Sequence, residues 1–117
     1  VNNIYVSSRN HGFDPKDYYQ NIPLDRVIQI HLAGHQDFGA YVLDTHDHPV
    51  RNEVWELYAK IYPLTGGVST LLEWDDNLLS FEQTWAEALK AKQFQQGIHE
   101  KHSLPPLSSF DSKAGAV

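Results

Sequence analysis

The sequence predicts an α/β domain that forms the C-terminal half of a TIM (β/α)8 barrel, with about four parallel strands and helices packed outside them. Three observations carry this expectation. Runs rich in β-branched residues alternate with segments whose apolar residues recur at the three-and-four spacing of a helix face. Three of the strand-like runs end in imidazole or carboxylate side chains, at the end of a parallel strand where α/β folds assemble their chemistry. A complete barrel takes ~250 residues, so four strands within 117 residues correspond to half of one.

The elements follow in order. Asn3 to Ser7 reads as the first strand, and Asn10-His11-Gly12-Phe13 as the turn behind it. A chain that opens without methionine, in what reads as mid-strand, is expected to be a fragment of something longer. Asp14 is placed to cap a short helix running to about Gln20, with Pro15 at its first position and Asp17 in its first turn. Val27 to His31 is a buried strand leading into a loop, and Gly34 to Ala40 is too short and glycine-rich for a full crossover helix. Tyr41-Val42-Leu43 opens the next strand, expected to continue through the polar residues that follow.

Pro49 stands where a helix begins, and Val54, Leu57, Tyr58, Ile61 and Tyr62 share its buried face until Pro63. Gly66-Gly67 turns the chain into a strand from Val68 to Glu73. Ser80 and Gln83 fit a capping box, and Phe81, Trp85, Ala88 and Leu89 form the apolar stripe of the last helix, expected in the core. The half-barrel spans residues 1–102; residues 103–117, with Leu104-Pro105-Pro106-Leu107, are an irregular tail.

The chemistry concentrates in Asp44-Thr45-His46-Asp47-His48-Pro49. Along a strand, Asp44, His46 and His48 would share one face, offering the oxygen and nitrogen donors that suit iron, zinc or manganese. The same stretch also fits a polar turn at a strand end. His31 and His35 close one of the other strands, and Glu73 closes another with Asp75 behind it. A buried Glu73 needs a partner, either a metal ion or a basic side chain.

Composition narrows the function. Fifteen acidic against nine basic residues, a formal charge of −6 and no Lys/Arg cluster argue against nucleic-acid binding. No apolar run approaches the ~20 residues of a membrane span, and no signal-like segment opens the chain, so the cytoplasm is the expected compartment. The absence of cysteine excludes disulfides, thiolate ligands and a cysteine nucleophile.

Five segments together, Val1-Asn2-Asn3-Ile4-Tyr5-Val6, Asn10 to Asp14, Gln29 to His35, Asp44 to Val50 and Leu71 to Asp75, closely resemble the multinuclear non-haem iron-dependent oxidative enzymes (MNIO). This family was long catalogued as a domain of unknown function and includes the methanobactin-biosynthesis iron enzyme. The resemblance covers residues 1 to 90. It implies strands five to eight of a xylose-isomerase-like barrel with two or three iron ions at its mouth. Carried onto this sequence, it makes His31, Asp44, His46 and Glu73 metal ligands, with Asn3 the preferred asparagine of the opening pair. His35, His48 and Asp75 fall around the ligands or at the pocket rim. The intact enzyme is then expected to modify a peptide, commonly at cysteine, in an oxygen-dependent reaction, with a small partner protein delivering the substrate. The family's further ligands lie on its first four strands, so the site would need the N-terminal half of the barrel.

Two other readings stay open. One is a divalent-metal sugar isomerase or phosphoesterase on a similar barrel. The other is a non-catalytic fragment that forms a homo-oligomer through open barrel edges.

Overall fold

In the computed structural model, which describes residues 1–97, the elements run α1 (Asn2–His11), α2 (Pro15–Tyr19), β1 (Gln29–Leu32), β2 (Gln36–Asp37), β3 (Val42–Leu43), α3 (Asn52–Ile61), β4 (Ser69–Leu72) and α4 (Phe81–Gln95). Short 3-10 turns lie at Leu24–Arg26 and Tyr62–Thr65. The expected tail, 103–117, lies outside the described residues.

β1 and β4 pair in parallel, with Ile30 opposite Thr70 and His31 opposite Leu71. A parallel pair needs a crossover, and α3 supplies it. Alternation then sorts the side chains. Ile30 and Leu32 are buried beneath α3, whereas Gln29 and His31 stand on the open face. α3 turns Val54, Trp55, Leu57, Tyr58 and Ile61 inward, as its spacing predicts. The buried Tyr58 phenol reaches Thr70 Oγ1 at 2.7 Å and accepts from Gln95 Nε2 at 2.9 Å, joining α3, β4 and α4 through one satisfied polar group.

Three expectations need correction. Residues 2–11 are helical, not extended. The β-branched look of Ile4-Tyr5-Val6 is overridden by tertiary packing: Asn2 and Val6, one turn apart, are both buried, and Gly12 closes the helix in the left-handed conformation (φ 70°). β3 stops at Leu43 and pairs antiparallel with β2, Asp37 opposite Val42. Among the described residues the parallel strands therefore number two instead of four. The expected aromatic stripe of α4 is also wrong, since Phe81 is 72% and Trp85 44% exposed. The buried residues are Glu87 and Ala91, and Phe94 stacks on Trp55 at 4.9 Å. The true stripe has helical spacing but contains a glutamate, which hid it.

The capping box of α4 is present, and the Asp14 carboxylate accepts from Lys16 N–H at the start of α2. The result is a mixed α/β fold whose parallel pair and outer helices fit part of a TIM-barrel-like fold. Among the described residues no helix is long and apolar enough to cross a membrane.

Candidate functional site

The carboxyl ends of β1 and β4 bring two separate segments together. Glu73 N–H donates to Leu32 O at 2.8 Å, which continues the pairing beyond β4 and aims the carboxylate. Glu73 Oε1 thus lies 3.0 Å from Nδ1 of His31, whose Nε2 is 2.8 Å from Gln29 Oε1.

Asp44 and His46 arrive from the loop after β3. His46 is left-handed (φ 55°), an uncommon state for a residue with a side chain. It is held from both sides: its N–H donates to Gly34 O at 3.1 Å, and its carbonyl accepts from Asp75 N–H at 2.7 Å. The ring then bridges carboxylates, with Nε2 2.9 Å from Asp44 Oδ1, Nδ1 2.8 Å from Asp75 Oδ2 and Glu73 Oε2 at 3.8 Å. Burial lowers the pKa of this imidazole, but the Asp75 hydrogen bond and the charges of Asp44 and Glu73 outweigh burial and hold it above the ordinary value. The expected sharing of a strand face by Asp44, His46 and His48 does not occur. A left-handed turn, not a pleat, joins Asp44 to His46.

Both opening asparagines contact Asp44. Asn3 Nδ2 donates to Asp44 Oδ2 at 3.3 Å and is exposed. Asn2 is buried, and its amide donates to Asp44 Oδ1 and, at 3.3 Å, to Gly34 O. Its Oδ1 lies 2.8 Å from Nδ1 of His35, which is itself buried and stacked on Tyr5 at 5.3 Å. Burial, with the Arg51 charge, pushes the His35 pKa down and favours the neutral ring.

His48 is not brought to this cluster. It pairs with the buried Asp47 at 2.6 Å, which also accepts from the Thr45 hydroxyl and, at 2.5 Å, from Gln36 Nε2. The Thr45 hydrogen bond outweighs the opposing effect of burial and, with those from His48 and Gln36, lowers the Asp47 pKa to about 2. This group ties the loop to the β2–β3 hairpin from behind. Gly34 packs so closely beneath the loop that a Cβ there would lie 1.8 Å from His48 O.

His31, Asp44, His46 and Glu73 line one pocket of about 240 Å³ with Asn2, Asn3 and Ala33. Among the described residues, no three imidazole or carboxylate groups stand already arranged as metal ligands. The imidazoles face the carboxylates instead: His31 meets Glu73, and His46 meets Asp44 and Asp75. The donor set nevertheless fits a transition metal, because oxygen and nitrogen donors from separate segments reach one cavity. A second cleft of about 230 Å³, between α1, α2 and α3, presents the carboxylates Asp14, Glu53 and Glu56 beside Lys16 and Lys60, and no imidazole lines it.

Sequence reasoning did not single out Asn2, Gln29 or Asp47 in these roles. For Asn2 the available signal was its spacing from Val6, which places both on the buried side of a helix.

The family profile for the RiPP precursor modification enzymes MbnB/TglH/ChrH matches residues 1–96. The chain belongs to this family. Curated relatives carry the name UPF0276 protein. One from Anaeromyxobacter sp. (strain Fw109-5) is 50% identical over 95 residues, covering 81% of this chain and 34% of its own. One from Acaryochloris marina is 46% identical over 91 residues, 78% of this chain and 33% of its own. A third, from Caulobacter vibrioides, is 47% identical over 87 residues, 74% of this chain and 31% of its own. The chain thus spans about a third of the length of the curated relatives it matches.

Proposed function

We propose that this chain carries part of the metal site of a peptide-modifying oxidative enzyme, with His31, Asp44, His46 and Glu73 as iron ligands and Asn3 as a further donor. The observation that carries the reading is the convergence of these residues, from four separate segments, on one pocket. Membership in a family described as RiPP precursor modification enzymes supports a ribosomal peptide as substrate. When bound, iron would supply a site for a substrate thiolate, commonly cysteine, and for oxygen activation.

The protein's own residues hold and orient. The clamp on the His46 backbone fixes where its ring projects. Asp75, accepting at Nδ1, orients that ring from the rim. The N-terminal half of the barrel would complete the set of two or three irons, a small partner protein would deliver the peptide, and the compartment would be the cytoplasm.

The test is His46→Ala and Glu73→Ala in the full-length protein, with iron content and peptide-dependent oxygen consumption as readouts. Both should fall sharply. Wild-type iron stoichiometry and activity in these variants would defeat the assignment. Tight zinc or manganese binding without oxygen consumption would favour the isomerase or phosphoesterase reading. Exposed Leu71, beside His31 on the open face of the parallel pair, supports association of the fragment with itself or with the other half-barrel. Sedimentation equilibrium giving a clean monomer of this chain at micromolar concentration would contradict self-association.

A further inference from the structure

We propose that His35 is a positioning residue for this site: by donating from Nδ1 it fixes the Asn2 amide in the orientation that turns its NH2 group toward Asp44, and so holds the Asp44 carboxylate in the pocket. The inference rests on the metal-site reading above. It begins with a choice between two amide orientations. If the Asn2 amide were flipped, its oxygen would face both Gly34 O and the Asp44 carboxylate, with no proton between any of them. Asn2 Nδ2 must therefore point to those two acceptors, one hydrogen for each. Its oxygen is left facing Nδ1 of His35 at 2.8 Å, and that nitrogen must carry the proton.

His35 can hold this position because it cannot move away. The residue is 2% exposed, and its ring stacks on Tyr5 with 29° between the planes. Asn2 is 3% exposed, so an amide oxygen deprived of His35 loses its buried hydrogen-bond partner. The order of contact runs from a buried ring to a buried amide to Asp44, which shares Oδ1 between Asn2 and His46 Nε2. His35 does not itself line the pocket and acts through Asn2, which does. Groups that orient a ligand from behind commonly tune metal affinity.

The experiment uses the full-length protein and cobalt(II), whose visible absorption reports the ligands around the ion. His35→Ala should weaken cobalt binding on the order of 10–100-fold and shift the visible bands. His35→Asn, whose amide can still donate toward Asn2, should retain most of the affinity and the wild-type band positions. Tyr5→Ala removes the stacking partner but no hydrogen bond of this chain of contacts, and should lower the unfolding midpoint while losing less cobalt affinity than His35→Ala, because the Nδ1 bond to Asn2 remains.

A wild-type spectrum and affinity in His35→Ala would overturn the proposal, as would an equal loss of affinity in Tyr5→Ala. No cobalt band in the wild-type protein would instead defeat the metal reading itself. Ring nitrogen-15 shifts of the metal-free wild-type protein test the orientation without any variant: a protonated Nδ1 and a bare Nε2 are expected at His35, and the opposite tautomer would overturn the inference.

Discussion

Replacing Gly34 with alanine should damage the site through its backbone. A Cβ on Gly34 would lie 1.8 Å from His48 O, 2.4 Å from His48 C and 2.7 Å from Pro49 O. All three are main-chain atoms, so no side chain can swing aside. Since real Cβ contacts essentially never fall below 3.0 Å, the two backbones must part by about 1.2 Å or more. The bonds that His46 N–H and the Asn2 amide donate to Gly34 O, at 3.1 and 3.3 Å, stand at the edge of that movement and would lengthen or break. Overpacking of this kind costs ~1–3 kcal/mol, equivalent to a fall of roughly 4–20 °C in melting temperature for a domain of this size.

Differential scanning calorimetry of Gly34→Ala beside Gly39→Ala separates this mechanism from simple loss of glycine. Gly39 has a positive φ of 81° with open space where a methyl group would stand, nothing lying within 4 Å, so alanine there should cost only the left-handed backbone strain of ~1–2 kcal/mol. Metal affinity should fall for Gly34→Ala and hold for Gly39→Ala, because only the first displaces the loop carrying Asp44 and His46. A Gly34→Ala protein that melts within a degree of wild type and binds metal normally would refute the close approach of the two backbones.

Other outcomes follow from the same geometry. Glu87→Ala strips the partner from the buried Val50 N–H, which donates to Glu87 Oε1 at 2.9 Å, and should destabilise by ~1–3 kcal/mol in a denaturant titration with unchanged slope; a loss no larger than that of Lys90→Ala would remove the Val50 bond from the account. His46→Asn should be more stable than His46→Ala, because asparagine tolerates the left-handed backbone (φ 55°), while both lose metal; equal circular-dichroism melts would mean the conformation is no constraint. Asp47, with its pKa lowered to about 2, contributes stability that is complete above the ordinary carboxylate range near pH 4 and is lost as pH falls through about 2. Carboxyl carbon-13 titration by NMR should find that low midpoint, and a midpoint near 4 would contradict the three hydrogen bonds drawn to it.

The elements that depend on local signals were legible in the sequence. Asp14 with Pro15, the Ser80–Gln83 box and the stripe of α3 each state their own geometry within a few residues. The strand containing His31 was legible as a β-branched run, and the one preceding Glu73 as an apolar run after a glycine pair. What escaped was set at a distance. α1 contains Ile4 and Val6, which favour extension, and it is helical because Asn2 and Val6 find burial together. Asp44 and His46 were paired for the wrong reason, since alternation foretold a shared strand face and the left-handed turn at His46 produced the contact. The burial of Glu87 answers an unpaired Val50 N–H from another segment, and no local pattern records that need.

To the small β2–β3 sheet, the Asn10 side chain is a substitute for a neighbouring strand. Its Nδ2 donates to Val42 O at 2.8 Å and its Oδ1 accepts from Val42 N–H at 2.8 Å, so one amide occupies both main-chain groups of Val42. A foreign extended chain approaching β3 from that side finds nothing there to pair with. A two-stranded ribbon is weakly stable by itself and can slide in register. Here the single side chain acts as a bookend, stopping the ribbon from growing and tying its position to helix α1, which also carries Asn2 and Asn3.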